Sequence, residues 1–418
     1  MPSRRILITG LASVWGGRLA HQLESDPEVE TVVGIDTADP QHELERTEFV
    51  RTPPEPKPLA RIIRAAGIDT VVETTLVGDG RGLSSGRTRA IDLQATMSLL
   101  EAAARSGVSK VVVKSSAEYY GSGRDAPAFF TEDTPPLRRP RTPVQRELAR
   151  VERALREYGD EHRDTTVTVL RCASTVGGGL RSAQLSLLSL PVIPGILGFD
   201  PRWQFVHEDD MVGALAHAVA QSLPGAYNVA GDGVLALSEV AGLLSKPLLP
   251  VLPPWGTLFT AGQVRRLGIP VPVGLLRELR YGRGLDNRKL KASGYLLRYT
   301  SRETVLKLRS QQRLRPLLGS GQPDGYRYEP EVEEFLRRSP SVQAMQRARS
   351  DATPSPSQGQ GQGGAYGSLT EGELLEVIPS LETASMLALR DYEAAGPARP
   401  AVLAEIDQQL DLRESTDN

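Results

Sequence analysis

A short apolar run ending in a glycine turn constrains this chain more than any other stretch. Arg4–Thr9 reads Arg-Arg-Ile-Leu-Ile-Thr, which suits a strand buried on both faces. Gly10-Leu11-Ala12-Ser13-Val14-Trp15-Gly16-Gly17 follows, then an amphipathic stretch from Arg18 to Leu23. Strand, tight turn and helix in that order are the context of a dinucleotide-binding turn. Gly10 permits a sharp turn where a Cβ would clash. The N–H groups at the start of the following helix lack intrahelical partners and attract an anion, and Val14 and Trp15 are candidate cofactor contacts. Gly16 lets the helix approach the strand. Ser13 stands at the middle position of the usual three glycines, and its hydroxyl is itself a candidate phosphate contact.

A second strand, Thr-Val-Val-Gly-Ile-Asp, ends in Asp36. An acid about 20 residues beyond the turn is the ribose-binding arrangement. Its carboxylate accepts from both ribose hydroxyls and repels a 2′-phosphate, which favours NAD over NADP. Composition excludes several alternatives. A net charge of −2 provides no global field for nucleic acid, and Arg138, Arg139 and Arg141 read as a solvated loop. Cys172, the only cysteine, excludes an internal disulfide and fits a reducing, cytoplasmic setting. The chain enters a strand almost at once, so no signal peptide is expected. The most apolar segments, 185–199 and 247–259, are interrupted by Pro191, Pro194, Pro250, Pro253 and Pro254, which argues against a membrane span and for core or pocket wall. The five histidines include no pair at ligand spacing, so no metal is expected.

Periodicity predicts strands near Phe49-Val50 and over 68–75, 110–115, 165–171 and 226–229. Helices are expected over 59–66, 84–106, 141–158, 209–221 and 237–244. That alternation means an α/β fold, a Rossmann-type doubly wound parallel sheet covered by helices. It occupies residues 1–318, with a small substrate lobe drawn mainly from 181–205 and 232–318, and Pro330 to Arg338 reads as a further helix. Residues 339–367 are rich in Ser, Pro, Gln and Gly and read as a disordered linker. Residues 368–413 then form a helical mini-domain, opened by a capping box at Thr370-Glu-Gly-Glu373, with Leu403, Ile406 and Leu410 on one face. At that size it is expected to dock on the main domain or on a partner protein.

Several blocks, in order, resemble the extended short-chain dehydrogenase/reductases, the NAD-dependent sugar-nucleotide epimerases and dehydratases typified by UDP-galactose 4-epimerase. They are the turn from Thr9 to Gly16, Asp92-Leu-Gln-Ala-Thr-Met-Ser-Leu-Leu-Glu-Ala-Ala103, and Lys110-Val-Val-Val-Lys-Ser-Ser-Ala-Glu-Tyr-Tyr-Gly121. Leu170-Arg-Cys-Ala-Ser-Thr-Val-Gly177, Phe205-Val-His-Glu-Asp-Asp-Met211, Tyr227-Asn-Val-Ala-Gly231 and Leu285-Asp-Asn-Arg-Lys-Leu290 complete the set. The resemblance implies NAD as cofactor, a nucleotide-sugar-like substrate, hydride transfer and a homodimer. It places Ser116 at the substrate-binding Ser/Thr position, Thr75, Leu76 and Ser115 along the cofactor, and His207 and Asp209 in a turn where the acid caps a helix.

The same resemblance requires a Tyr and, one helical turn later, a Lys that lowers its pKa. Anchored on Pro143 and Glu152, the pattern puts Val144 and Leu148 there. A register two residues earlier offers Thr142 and Arg146. Neither supplies a phenol, and valine and leucine cannot move protons. Tyr119, Tyr120, Glu118 and Glu73 are the nearby alternatives, with Tyr120 at a family position that is usually structural. Two function classes remain: an epimerase/dehydratase-like enzyme with an atypical active site, or a non-catalytic dinucleotide-binding scaffold whose helical tail recruits a partner.

Overall fold

The computed structural model describes residues 4–40, 44–76, 93–136, 140, 142–178, 180, 182–252, 273–313, 371–372, 375, 378, 383–396 and 398–414. They fall into two compact units, one within Met1–Tyr328 and one within Glu329–Asn418.

The first unit is built on seven strands: β1 Arg4–Thr9, β2 Val29–Asp36, β3 Thr47–Arg51, β4 Thr70–Glu73, β5 Lys110–Ser116, β6 Thr166–Cys172 and β11 Gly225–Val229. Their spatial order is β11-β6-β5-β4-β1-β2-β3, and every neighbouring pair is parallel. The order reverses between β1 and β4, which opens a crevice at the carboxyl ends of the strands. Ile6, Leu7, Ile8, Val71, Val72, Val111, Val112 and Val113 are fully buried, because both faces are covered.

Helices α1 Val14–Glu24 and α6 Glu208–Ala220 pack together on one face, where Arg18 pairs with Glu208 at 3.1 Å and with Asp209 at 2.5 Å. Helices α2 Pro56–Ala65, α3 Leu93–Ala104 and α4 Pro143–Glu161 form a contiguous second layer. The α1 helix starts four residues earlier than its amphipathic stretch suggests. Gly16 and Gly17 look like helix breakers, yet a Cβ on Gly16 would lie 2.2 Å from the Gly10 carbonyl oxygen. Only glycine lets the helix begin that close to the turn.

Short strand pairs beyond the sheet went unresolved in the sequence. β7 Ser174–Val176 pairs with β10 Phe205–His207, β8 Ile193–Ile196 with β13 Leu248–Leu252, and β9 Arg202–Trp203 with β12 Leu235–Ala236. With α5 Ala183–Ser189, α7 Leu237–Leu243, α8 Val273–Tyr281, α9 Arg288–Ala292 and α10 Ser301–Arg313 they make up the rest of the unit's described elements. Among the described residues no helix is long and apolar enough to cross a membrane. The second unit contains α11 Thr383–Ala395 and α12 Pro400–Glu414, which bury Ile378, Met386, Leu389, Val402 and Ile406. The expected loop arginines 138, 139 and 141, the linker 339–367, the expected helix at Pro330 and both ends of the capping box lie outside the described residues.

Candidate active site

The crevice is assembled around Gly10, whose φ of +76° places it in the left-handed region. A Cβ there would come within 2.1 Å of the Thr75 methyl. The tail of β4 is fastened to the turn from the other side: the Thr74 hydroxyl donates to the Thr9 carbonyl at 2.7 Å and lies 3.3 Å from the Ser13 hydroxyl. Ser13 itself is the α1 N-cap, its oxygen accepting from the Gly16 N–H at 3.0 Å. The hydroxyl expected at a phosphate is therefore committed to its own helix. Val14 and Trp15 are each only 3% exposed, so they face the crevice with backbone rather than side chain.

Asp36 closes the far side. Its Oδ2 accepts from the Ala12 N–H at 2.9 Å, and its Oδ1 from Thr37 at 2.6 Å and Ala38 at 3.2 Å. The carboxylate thus shapes the loop while standing at the end of β2, where the sequence places a ribose contact. These residues fit a dinucleotide: a helix start at the switch point, glycines where a Cβ would collide, and an acid at the neighbouring strand end.

Toward β5 the picture changes. Thr75 donates its N–H to Glu73 Oε1 at 2.7 Å, and its hydroxyl bonds the same oxygen. Leu76 is fully buried. Ser115, expected along the cofactor, is a correction. Its side chain turns into the core, 0% exposed, and donates to Glu152 Oε1 at 2.7 Å. Glu152 Oε2 accepts from Arg171 Nη2 at 2.7 Å and Nε at 3.0 Å. Arg171 Nη1 donates to the Tyr120 hydroxyl at 2.7 Å and to the Glu132 carbonyl at 2.9 Å, and the guanidinium stands 3.9 Å above the Tyr119 ring. The Tyr120 hydroxyl donates to Asn228 Oδ1 at 2.8 Å. Burial pushes its pKa up to about 12, with Arg171 opposing and Glu132 and Glu152 adding to the rise. Such a phenol does not exchange protons near neutrality, so Tyr120 is structural.

This network pins α4 against the strand ends. Along the helix, Leu148 is fully buried and Val144 packs against the same core. In the alternative register, Thr142 is the N-cap, accepting from the Gln145 N–H at 3.1 Å, and Arg146 is exposed. No phenol or ammonium occupies either position. Ser116 caps the 3-10 turn Ala117–Tyr119, accepting from the Glu118 N–H at 3.2 Å, which leaves its O–H as a donor. At α6 the cap is His207 rather than the expected acid, its Nδ1 accepting from the Asp209 N–H at 3.3 Å. Burial alone would raise the Asp209 carboxyl. His207 and Arg18 outweigh it and hold Asp209 well below the usual carboxylate range.

Two features escaped the sequence reading. Lys114 is 3% exposed in β5, with its ammonium 4.9 Å from the Trp15 ring; a lysine inside a valine run was the signal. Glu278 on α8 is 5% exposed and accepts from Gln184 Nε2 at 2.9 Å. An acid set between Leu276-Arg277 and Leu279-Arg280 of a mixed helix gave no signal in the sequence. Among the described residues no group of His, Cys, Asp and Glu could hold a metal ion.

Comparison with known proteins adds lineage. Residues 6–230, just over half of the chain, match the model of the NAD dependent epimerase/dehydratase family. An uncharacterized protein of Mycobacterium tuberculosis is 29% identical over 309 residues, covering 71% of this chain and 81% of that one. Among solved structures, UDP-glucose 4-epimerase of Thermotoga maritima, with UDP-glucose, aligns with a TM-score of 0.56 at 17% identity, covering 74% of this chain and 98% of that one. The dTDP-glucose 4,6-dehydratase DesIV of Streptomyces venezuelae, with NAD bound, gives 0.55 at 22% identity over 74% of this chain and 97% of that one. At those identities the structural likeness concerns the fold.

Proposed function

This chain belongs to the NAD dependent epimerase/dehydratase family, and on that premise we propose that it holds NAD across the crevice between β1 and β4 and acts on a nucleotide-sugar-like molecule with an atypical proton-handling group. When bound, the cofactor supplies a hydride acceptor and donor. Gly10, Gly16 and the first turn of α1 receive the pyrophosphate, and Asp36 receives the adenosine ribose. Thr75 and Leu76 border the path toward β5, and Ser116 offers its O–H to a substrate oxygen. The observation that carries the reading is Asp36 bonded to the Ala12 N–H at 2.9 Å, which ties the acid to the glycine turn itself. Native mass spectrometry and calorimetry on the purified chain test it. NAD+ is expected to bind at least about tenfold tighter than NADP+, and Asp36→Ala to abolish that preference. Absence of affinity for either nucleotide overturns the reading.

One observation favours a second reading. With Val144 and Leu148 at the positions of the Tyr and Lys, a scaffold that holds NAD without turning over explains the missing phenol and ammonium directly. In that case the C-terminal helices recruit a partner protein. Tight NAD binding, no deuterium transfer to any nucleotide sugar, and a partner lost on deleting residues 367–418 would select it. Family resemblance supports a homodimer, which light scattering measures.

A further inference from the structure

The β11 edge of the sheet holds a second hollow. Val167, Val169 and Arg171 alternate onto the face of β6 that α4 covers. Gly159 lets the end of α4 lie close on that strand, since a Cβ there would meet the Val167 side chain at 3.4 Å. Next to β6, the edge strand sets Gly225 abreast of Thr168 and Ala226 abreast of Val169. With only a hydrogen and a methyl there, the space between α4 and β11 stays open. The result is a cavity of about 510 Å³. Pockets that take small molecules span roughly 300–1,000 Å³.

The lining is divided by polarity. Leu155, Val167 and Val169 supply an apolar floor. At the inner end, Glu152 and Arg171 neutralise each other in a buried pair at 2.7 Å. Arg156, Asp160 and Arg163 stand exposed at the mouth. Arg156 and Asp160 lie one helical turn apart and still do not pair. Among the described residues none of these three side chains has a hydrogen-bond or ion-pair partner. Two guanidinium groups against one carboxylate leave the mouth positive.

We propose that this cavity binds a small organic monoanion with an apolar body, at a site separate from the NAD crevice. The apolar body lies on Leu155, Val167 and Val169, and Arg156 and Arg163 receive the carboxylate or sulfonate. Guanidinium suits that role because it stays charged and donates along two parallel bonds. Asp160 repels a second negative charge, which disfavours a phosphate dianion. The lining includes none of Gly10, Gly16, Asp36, Thr75 or Ser116. The inner pair nevertheless holds Ser115, the neighbour of Ser116, so the cavity backs onto the candidate active site.

Anilinonaphthalene sulfonate is a fluorescent monoanion of this kind, and phenylnaphthylamine is the same ring system without the sulfonate. Both are titrated into the full chain with NAD+ in excess, which competes for the crevice. The sulfonate is expected to saturate one site per chain and to bind at least about tenfold tighter than the amine. Arg156→Glu and Arg163→Glu should each weaken it by about tenfold or more, and added salt should weaken it further. Arg153→Glu, exposed on the same helix but outside the cavity, should leave it unchanged. Circular dichroism melts establish that the three variants fold. Equal affinity for the two probes, indifference to both reversals, an equal loss in Arg153→Glu, or no saturable binding overturns the proposal. None of these outcomes depends on whether the chain turns over a nucleotide sugar.

Discussion

Glu73 carries an unbalanced hydrogen-bond inventory. Thr75 supplies its Oε1 with two donors, while Oε2 is buried without a partner. Burial raises its pKa, and the Thr75 bonds only partly oppose that. Unfolded, the group loses its proton near the ordinary 4.5. Folded, it keeps the proton to higher pH, so the native state binds more protons in between, and stability falls as pH rises through the folded value. Glu73→Gln imitates the protonated form. It should raise the urea midpoint at neutral pH and lose that advantage in acid below the unfolded value. Arg171 is the opposite case, a charge with nearly all its donors used. Arg171→Met strands Glu152 in the core and should cost about 3–5 kcal/mol by urea denaturation. Glu152 was legible as an anchor of the family pattern. Its bond to Arg171 was not, because a pair that joins a helix to a strand has no local periodicity.

Elements were read well where the pattern was long and badly where a side chain overrode it. The valine-rich strands and the Leu148-Val151-Leu155 face of α4 follow from burial alone. The start of α1 does not, because packing against the Gly10 carbonyl decides it. Two substitutions separate the roles within this turn. Gly10→Ala meets both a φ of +76° and the Thr75 methyl; the backbone alone costs about 1–2 kcal/mol, and NAD binding should be lost. Ser13→Gly removes the cap for a few tenths of a kcal/mol and returns the Gly16 N–H to the crevice. Calorimetry should then show equal or tighter NAD binding at slightly lower thermal stability. The Asp36 position was visible from spacing, whereas Ser115 was misassigned: alternation along β5 turns it inward toward Glu152.

The whole chain divides its stability unevenly. The first unit buries a continuous core, whereas the described part of the second rests on five fully buried apolar side chains. A chain ending at residue 328 should therefore melt cooperatively and keep its NAD affinity. Residues 329–418 alone should give helical circular dichroism with a broad, weakly cooperative melt. The composition break before the helices was plain in the sequence. How the last helices close on each other depends on the buried cluster that Met386, Leu389, Val402 and Ile406 share, which only the assembled pair defines.

The lone sulfhydryl offers a practical vantage point. Cys172 ends β6, is 6% exposed, and donates from Sγ to the Ser115 carbonyl at 2.9 Å, across the strand pair that carries Ser116. A maleimide reagent should find the native protein inert and react only when β5 and β6 part. Labelling speed would thereby become a clock for opening at the centre of the sheet, and any cysteine engineered onto the surface would serve as a unique attachment point for a fluorophore.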